Sequence, residues 1–212
     1  MLSIKDNIKS TLFCGPKELS KSFAFEAAIY WANEGRNVLY VAPTSLECLP
    51  PSCHDRSNPA PATFRLMRFM YLTDYEDLIK QFSQLHTFAT LPSILIIDDL
   101  DHYLHKQNVK EEFNMHAAKT CALIFDTMSS ISRILKIDVH ICAWYSSALD
   151  NTILHNMYFR NVFTISEDEE GKSILLQKVT NLKNKNDFPS YKYSKLQDGT
   201  RVLRQILRGT EE

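Results

Sequence analysis

Polar and apolar positions follow two rhythms along this chain, and the change between them divides it. Up to about residue 145, short apolar runs alternate with stretches whose apolar positions recur three and four apart; beyond residue 160, short runs follow one another with only turns between them. The first rhythm predicts strands alternating with helices, the second an antiparallel meander. A strand-like run, TLFC, ends at Gly15. Phe25, Ala28, Ile29 and Ala32 then recur at helical spacing, which predicts a helix over residues 21–33 stopped at Glu34-Gly35. NVLYVA at 37–42, rich in β-formers and halted by Pro43, reads as a buried strand. Strand, loop, helix, strand is a βαβ unit, whose right-handed crossover places the loop at the carboxyl end of a parallel sheet, where ligands of open α/β folds bind.

The segment 43–62, punctuated by Pro43, Pro50, Pro51, Pro59 and Pro61, reads as a long irregular loop. RFMYL at 68–72 predicts a brief strand. Tyr75, Leu78, Ile79, Phe82 and Leu85 form the stripe of a helix over 74–88, and SILIIDDL at 93–100 is the most hydrophobic strand of the chain, covered on both faces. A helix is expected over 111–135, a strand over 137–144, and a short helix or ordered loop over 148–157. Strands at 162–166, 174–179, 191–196 and 201–206 follow, with Asp198-Gly199 as a hairpin signal. The expected fold is α/β: a mainly parallel sheet flanked by helices, with antiparallel strands at its C-terminal edge. One domain over residues 1–212 accounts for this order, with 43–62 as its long loop and 160–208 as its edge region.

Composition changes little in this picture. With 44% hydrophobic and 23% charged residues and a net charge of −1, the chain resembles an ordinary globular protein, so any charge signal must be local. No apolar run approaches the roughly 20 residues that span a bilayer, and the N-terminus lacks a signal-peptide core, so an intracellular protein without membrane contact is expected. Five scattered cysteines suit reduced thiols. Cys48, Cys53 and His54 match no closed metal-ligand spacing.

The chemistry concentrates at GPKELSKS, residues 15–22. A phosphate-binding loop runs Gly, four residues, Gly, Lys, then Ser or Thr; its amides wrap a phosphate, Lys neutralises it and the hydroxyl reaches Mg²⁺. Here Gly15, Lys21 and Ser22 stand in place, and Ser20 occupies the second glycine position. Later in the chain a strand ends in Asp98, as expected of the carboxylate that holds Mg²⁺ beside such a loop. Gly15, Ser20, Lys21, Ser22 and Asp98 are thus the candidate ATP site, with Ser22 and Asp98 toward Mg²⁺. The side chain at Ser20 stands where glycine lets the backbone approach phosphate, and Glu18 adds a negative charge. No carboxylate directly follows the strand ending at Ala42; Glu47 and Asp99 are the nearest candidate acids for orienting water, and Asp99 reads equally as a helix cap.

These segments together, GPKELSKS, NVLYVAP, RFMYL and LPSILIIDDLDHYL followed by antiparallel edge strands, resemble the RecA-type recombinase ATPase core. More closely, they are similar to the small recombinase-paralogue subunit of the animal Shu complex, the partner of a SWIM-domain zinc-binding protein. The resemblance covers about residues 10–205. It implies a nuclear role in homologous recombination, in which the two subunits bind single-stranded DNA and support recombinase filaments, with ATP and Mg²⁺ at a degenerate site. Where recombinases place a catalytic glutamate this chain has Pro43-Thr44, and where they place a polar sensor it has Trp144-Tyr145. No catalytic residue is assigned. Two other readings share the loop: a non-enzymatic scaffold with a vestigial phosphate loop, and a small-molecule kinase.

From residue 171 onward the chain carries nine Lys/Arg against four acids, interleaved with Phe188, Tyr191 and Tyr193. Lysines beside aromatic rings suit a single strand, whose phosphates pair with charge while bases stack. Lys178, Lys183, Lys185 and Lys192 are the DNA-binding candidates; the alternative is the lysine protection usual on exposed strands. Trp144 and Tyr145 are candidate anchors for a partner.

Overall fold

A computed structural model describes residues 7–54, 59–104, 113–146, 157–179 and 189–207. Nine strands form one sheet in the order β3-β2-β4-β5-β1-β6-β7-β8-β9. In its first half β1 (Ile8–Cys14), β2 (Val38–Ala42), β3 (Met67–Tyr71), β4 (Ile94–Ile97) and β5 (Val139–Tyr145) run parallel, and β6 (Asn161–Glu167) joins β1 in the same sense. Beyond it β7 (Ser173–Val179), β8 (Ser190–Lys195) and β9 (Arg201–Leu207) pair antiparallel in sequence order. The α/β architecture with an antiparallel edge is as the polar pattern predicts. Residues 148–156 of the expected short helix, and Lys183 and Lys185, lie outside the described residues.

Every residue of β2 and β4 is buried, and alternate side chains serve different layers. Leu39, Val41, Leu95, Ile97, Ile141 and Ala143 pack with α3 (Tyr75–Gln84), α4 (Leu100–Leu104) and α5 (Phe113–Leu135). Val38, Tyr40, Ala42, Ile94, Ile96 and Cys142 pack with α1 (Lys17–Asn33) on the other face. This period of two is why the runs read as continuous apolar sequence: both faces of the strand need a hydrophobic partner. A third cluster joins Leu19 and Phe23 of α1 to Ile165, Ile174 and Leu176 of β6 and β7, so the antiparallel half of the sheet bears on the first turns of α1.

The expected loop 43–62 contains one further element, α2 (Pro61–Arg65), which opens with Pro61 at a position where the missing N–H costs nothing. The helix expected over 74–88 divides into α3, capped by the Asp74 carboxylate accepting from Asp77 N at 2.8 Å, and a short 3₁₀ turn at Leu85–Thr87. The expected strand 93–100 is shorter: β4 stops at Ile97, Asp99 adopts φ 66°, and α4 begins at Leu100. No helix among the described residues is long and apolar enough to cross a membrane.

Candidate functional site

The site forms where β1, β4 and β5 end together beside the N-terminus of α1. Gly15 is held on three sides. Its N–H donates to Tyr145 O at 3.1 Å, its carbonyl accepts from Trp144 Nε1 at 3.0 Å, and a Cβ at this position would overlap Ile165 O and lie 3.1 Å from Ile165 Cβ. Glycine is required here by the close passage of β6. Trp144 and Tyr145, expected as partner anchors, are instead buried, each 2% exposed; they finish the interior of the site and present no surface to a partner.

The helix begins one turn earlier than the sequence predicts. Pro16 is the N-cap, and α1 runs from Lys17, so the residues that would form a phosphate loop are helical. The amides of Leu19 and Ser20 both donate to Pro16 O, at 3.2 and 3.0 Å. The physical cause is local. Pro16 presets φ for a helix start, Lys17, Glu18 and Leu19 favour helix, Glu18 suits the positive end of the helix dipole, and Ser20 replaces the glycine that would have broken the turn. Ser20 is fully buried, its hydroxyl without a hydrogen-bond partner among the described residues. Ser22 is also fully buried and donates back to Glu18 O at 3.2 Å.

Lys21 and Asp98 do meet, as their spacing predicts. Lys21 Nζ lies 3.7 Å from Asp98 Oδ2, which also accepts from Tyr40 Oη at 3.1 Å. Asp98 is 3% exposed, and Oδ1 has no partner among the described residues. Burial pushes its carboxyl above the ordinary range, against the opposing pull of the Lys21 ammonium and the Tyr40 hydroxyl. Burial, with the neighbouring Asp98 charge, likewise raises Tyr40, which remains a neutral donor. Asp99 pairs with Lys17 at 3.4 Å and accepts from His102 N at 3.3 Å, so it serves as the cap of α4. Glu47 is exposed in the proline-rich segment. Among the described residues no cluster of His, Cys, Asp or Glu could hold a metal ion.

Measured against a nucleotide and its Mg²⁺, these residues do not fit. The amides of Leu19 and Ser20 are turned to Pro16 O, the Ser22 hydroxyl is buried and bonded to its own helix, and the Lys21 charge faces Asp98. The loop expected over 15–20 is corrected to a helical turn, with only Gly15 and Pro16 outside it.

A crystal structure of RadB recombinase superposes on this chain with a TM-score of 0.62, covering 93% of this chain and 91% of that chain at 9% sequence identity. The fold is RecA-like. No protein-family profile and no curated protein sequence matches the chain. Within this RecA-like frame Lys21 meets Asp98, Gly15 is held by Trp144 and Tyr145, and Ser20 and Ser22 are buried in the helix.

Of the DNA candidates, the two among the described residues, Lys178 and Lys192, stand on different faces. Lys178 shares the face of β7 with Ile174 and Leu176, whereas Lys192 lies opposite Leu175, on the other face of the same sheet. Leu176 and Ile174 are buried toward α1, so Lys178 stands on the inner side and exposed Lys192 on the outer.

Sequence reasoning missed two residues of the site. Tyr40 supplies the hydroxyl that reaches Asp98; inside an apolar run it reads as a β-former. Arg201 opens β9 far along the chain, yet Nη1 and Nη2 donate to Leu19 O at 3.2 Å and Glu18 O at 3.1 Å. No local signal marks it, because only the curl of β6–β9 over α1 brings it there.

Proposed function

We propose that this chain is an accessory subunit of homologous recombination that works by contact, a RecA-like frame whose nucleotide position is filled by its own residues. Its partner is a SWIM-domain zinc-binding protein, and together they act in the nucleus on recombinase filaments and single-stranded DNA. The RecA-like fold and the motif resemblance support the setting. The observation that carries the mode of action is the helical turn at Lys17–Ser20, which points the amides of Leu19 and Ser20 at Pro16 O. A phosphate cradle requires those amides to face a ligand.

One observation favours a second reading, a weak ATP and Mg²⁺ site: Asp98 Oδ1 is buried without a partner among the described residues, in the position of a metal-holding carboxylate. Titration of the purified protein with ATP, with and without Mg²⁺, beside Lys21→Ala, separates the two. Contact-based function predicts that neither protein binds nucleotide in a Lys21-dependent way and that Lys21→Ala still co-purifies with the SWIM-domain partner. Affinity for ATP lost on removing Lys21 would establish the second reading instead.

A further inference from the structure

Arg201 is 3% exposed and joins three parts of the chain at one residue. Its guanidinium donates to the adjacent carbonyls of Glu18 and Leu19 and stacks over Phe23, with Cζ 5.6 Å from the ring centroid. Its backbone N–H donates to Ser52 O at 3.0 Å, and its carbonyl accepts from His54 N at 2.6 Å. The proline-rich segment and the β8–β9 hairpin therefore fix the backbone while the side chain reaches α1. The guanidinium is a rigid fork of donors with no acceptor, and its paired N–H groups match the two successive carbonyls of Glu18 and Leu19, the first of which it shares with the Ser22 hydroxyl.

This geometry sets the polarity of the turn. A phosphate loop presents amides to an anion; here carbonyls are presented to a cation. Rotating the peptide units 18–19 and 19–20 so that the amides of Leu19 and Ser20 faced a phosphate would turn the Glu18 and Leu19 carbonyls away from the buried guanidinium, an arrangement strongly disfavoured in an interior. Arg201 cannot simply retreat, because Ser52 and His54 hold its backbone.

We infer that Arg201 is an internal latch that keeps the 15–22 turn helical and closed to a nucleoside triphosphate, tying that state to the C-terminal hairpin and the proline-rich segment. The inference rests on the reading that the wild-type turn does not accept nucleotide. Its test is hydrogen exchange of the full chain together with binding of a fluorescent ATP analogue and Mg²⁺, in wild type, Arg201→Ala and Arg201→Lys, each with and without Lys21→Ala. Should Arg201→Ala not fold, Arg201→Lys carries the test, since an ammonium keeps the charge without spanning both carbonyls. Opening of the latch predicts at least tenfold faster exchange at the amides of 17–21, with α5 unchanged, and analogue binding that is tighter than wild type and lost with Lys21→Ala. Exchange that rises equally in α5, exchange that does not rise, or faster exchange at 17–21 without gained analogue binding would overturn the latch. Lys21-dependent binding already present in wild type counts against the functional reading, and the latch is then judged on the difference between Arg201 variants and wild type.

Discussion

Lys21 carries the charge that a phosphate-binding lysine carries, and in this chain Asp98 answers it from inside the protein. The pairing of these two residues was legible in the sequence because Asp98 closes an apolar strand run and Lys21 stands at the motif spacing from Gly15. The state of the turn between Gly15 and Lys21 was not. A motif is read as spacing, and spacing is the same whether the five intervening residues curl around an anion or continue a helix. The deciding residue was visible: Ser20, which removes the glycine that makes the open form favourable. Gly15 is constrained for a different reason, the passage of β6. Gly15→Ala places a Cβ against the Ile165 backbone, which can give way only by shifting the strand. We expect a loss of about 1–3 kcal/mol, seen as a fall in Tm on the order of 5 °C for a chain of this size; an unchanged Tm would mean that β6 yields without strain.

Among the elements, α1 has the most partners. Its middle packs on β2, β4 and β5, and its first turns meet β6 and β7 through Leu19 and Phe23. The Phe23 ring lies 5.1 Å from Tyr193 and 6.4 Å from Phe13, edge-on to the former. Phe23→Ala is expected to cost about 3–5 kcal/mol and to loosen one part of the molecule more than another. Amides of β8 should gain exchange before those of β4, and equal protection in both strands would show that the edge region does not depend on this contact. The limits of β4 explain a related misreading. The run SILIIDDL is uniformly apolar up to the acids, but the strand ends where Asp99 takes a left-handed conformation and its side chain caps α4, and that turn leaves no trace in hydrophobicity.

Across the whole molecule, the change of rhythm leads into β6, the strand at which pairing turns within a single sheet from parallel, with β1, to antiparallel, with β7. That much of the fold is carried by local pattern. What local pattern omits is curl: the edge strands return over α1, which buries Arg201, while the alternation of β7 and β8 sets Lys178 and Lys192 on opposite faces. A count of lysines therefore overstates the surface that one DNA strand could follow. If single-stranded DNA runs along the outer face, Lys192→Glu should weaken binding several-fold and reduce the slope of log affinity against log salt by about 0.7, with Lys178→Glu changing both less. Equal effects of the two substitutions would exclude the outer face as the path.

The position of β1 in this sheet also governs the order in which the chain can become structured. β1 does not pair with β2, the strand that follows it: it pairs with β5 on one side and β6 on the other, in register from Ile8 opposite Val139 and from Thr11 opposite Asn161. While β2, β3 and β4 can assemble as soon as they emerge from the ribosome, β1 stays unpaired until β5 and β6 have also been synthesised. The segment at residues 15–22, fastened to the end of that strand, is consequently translated ahead of β2 and acquires its shape only after β5 and β6 have followed.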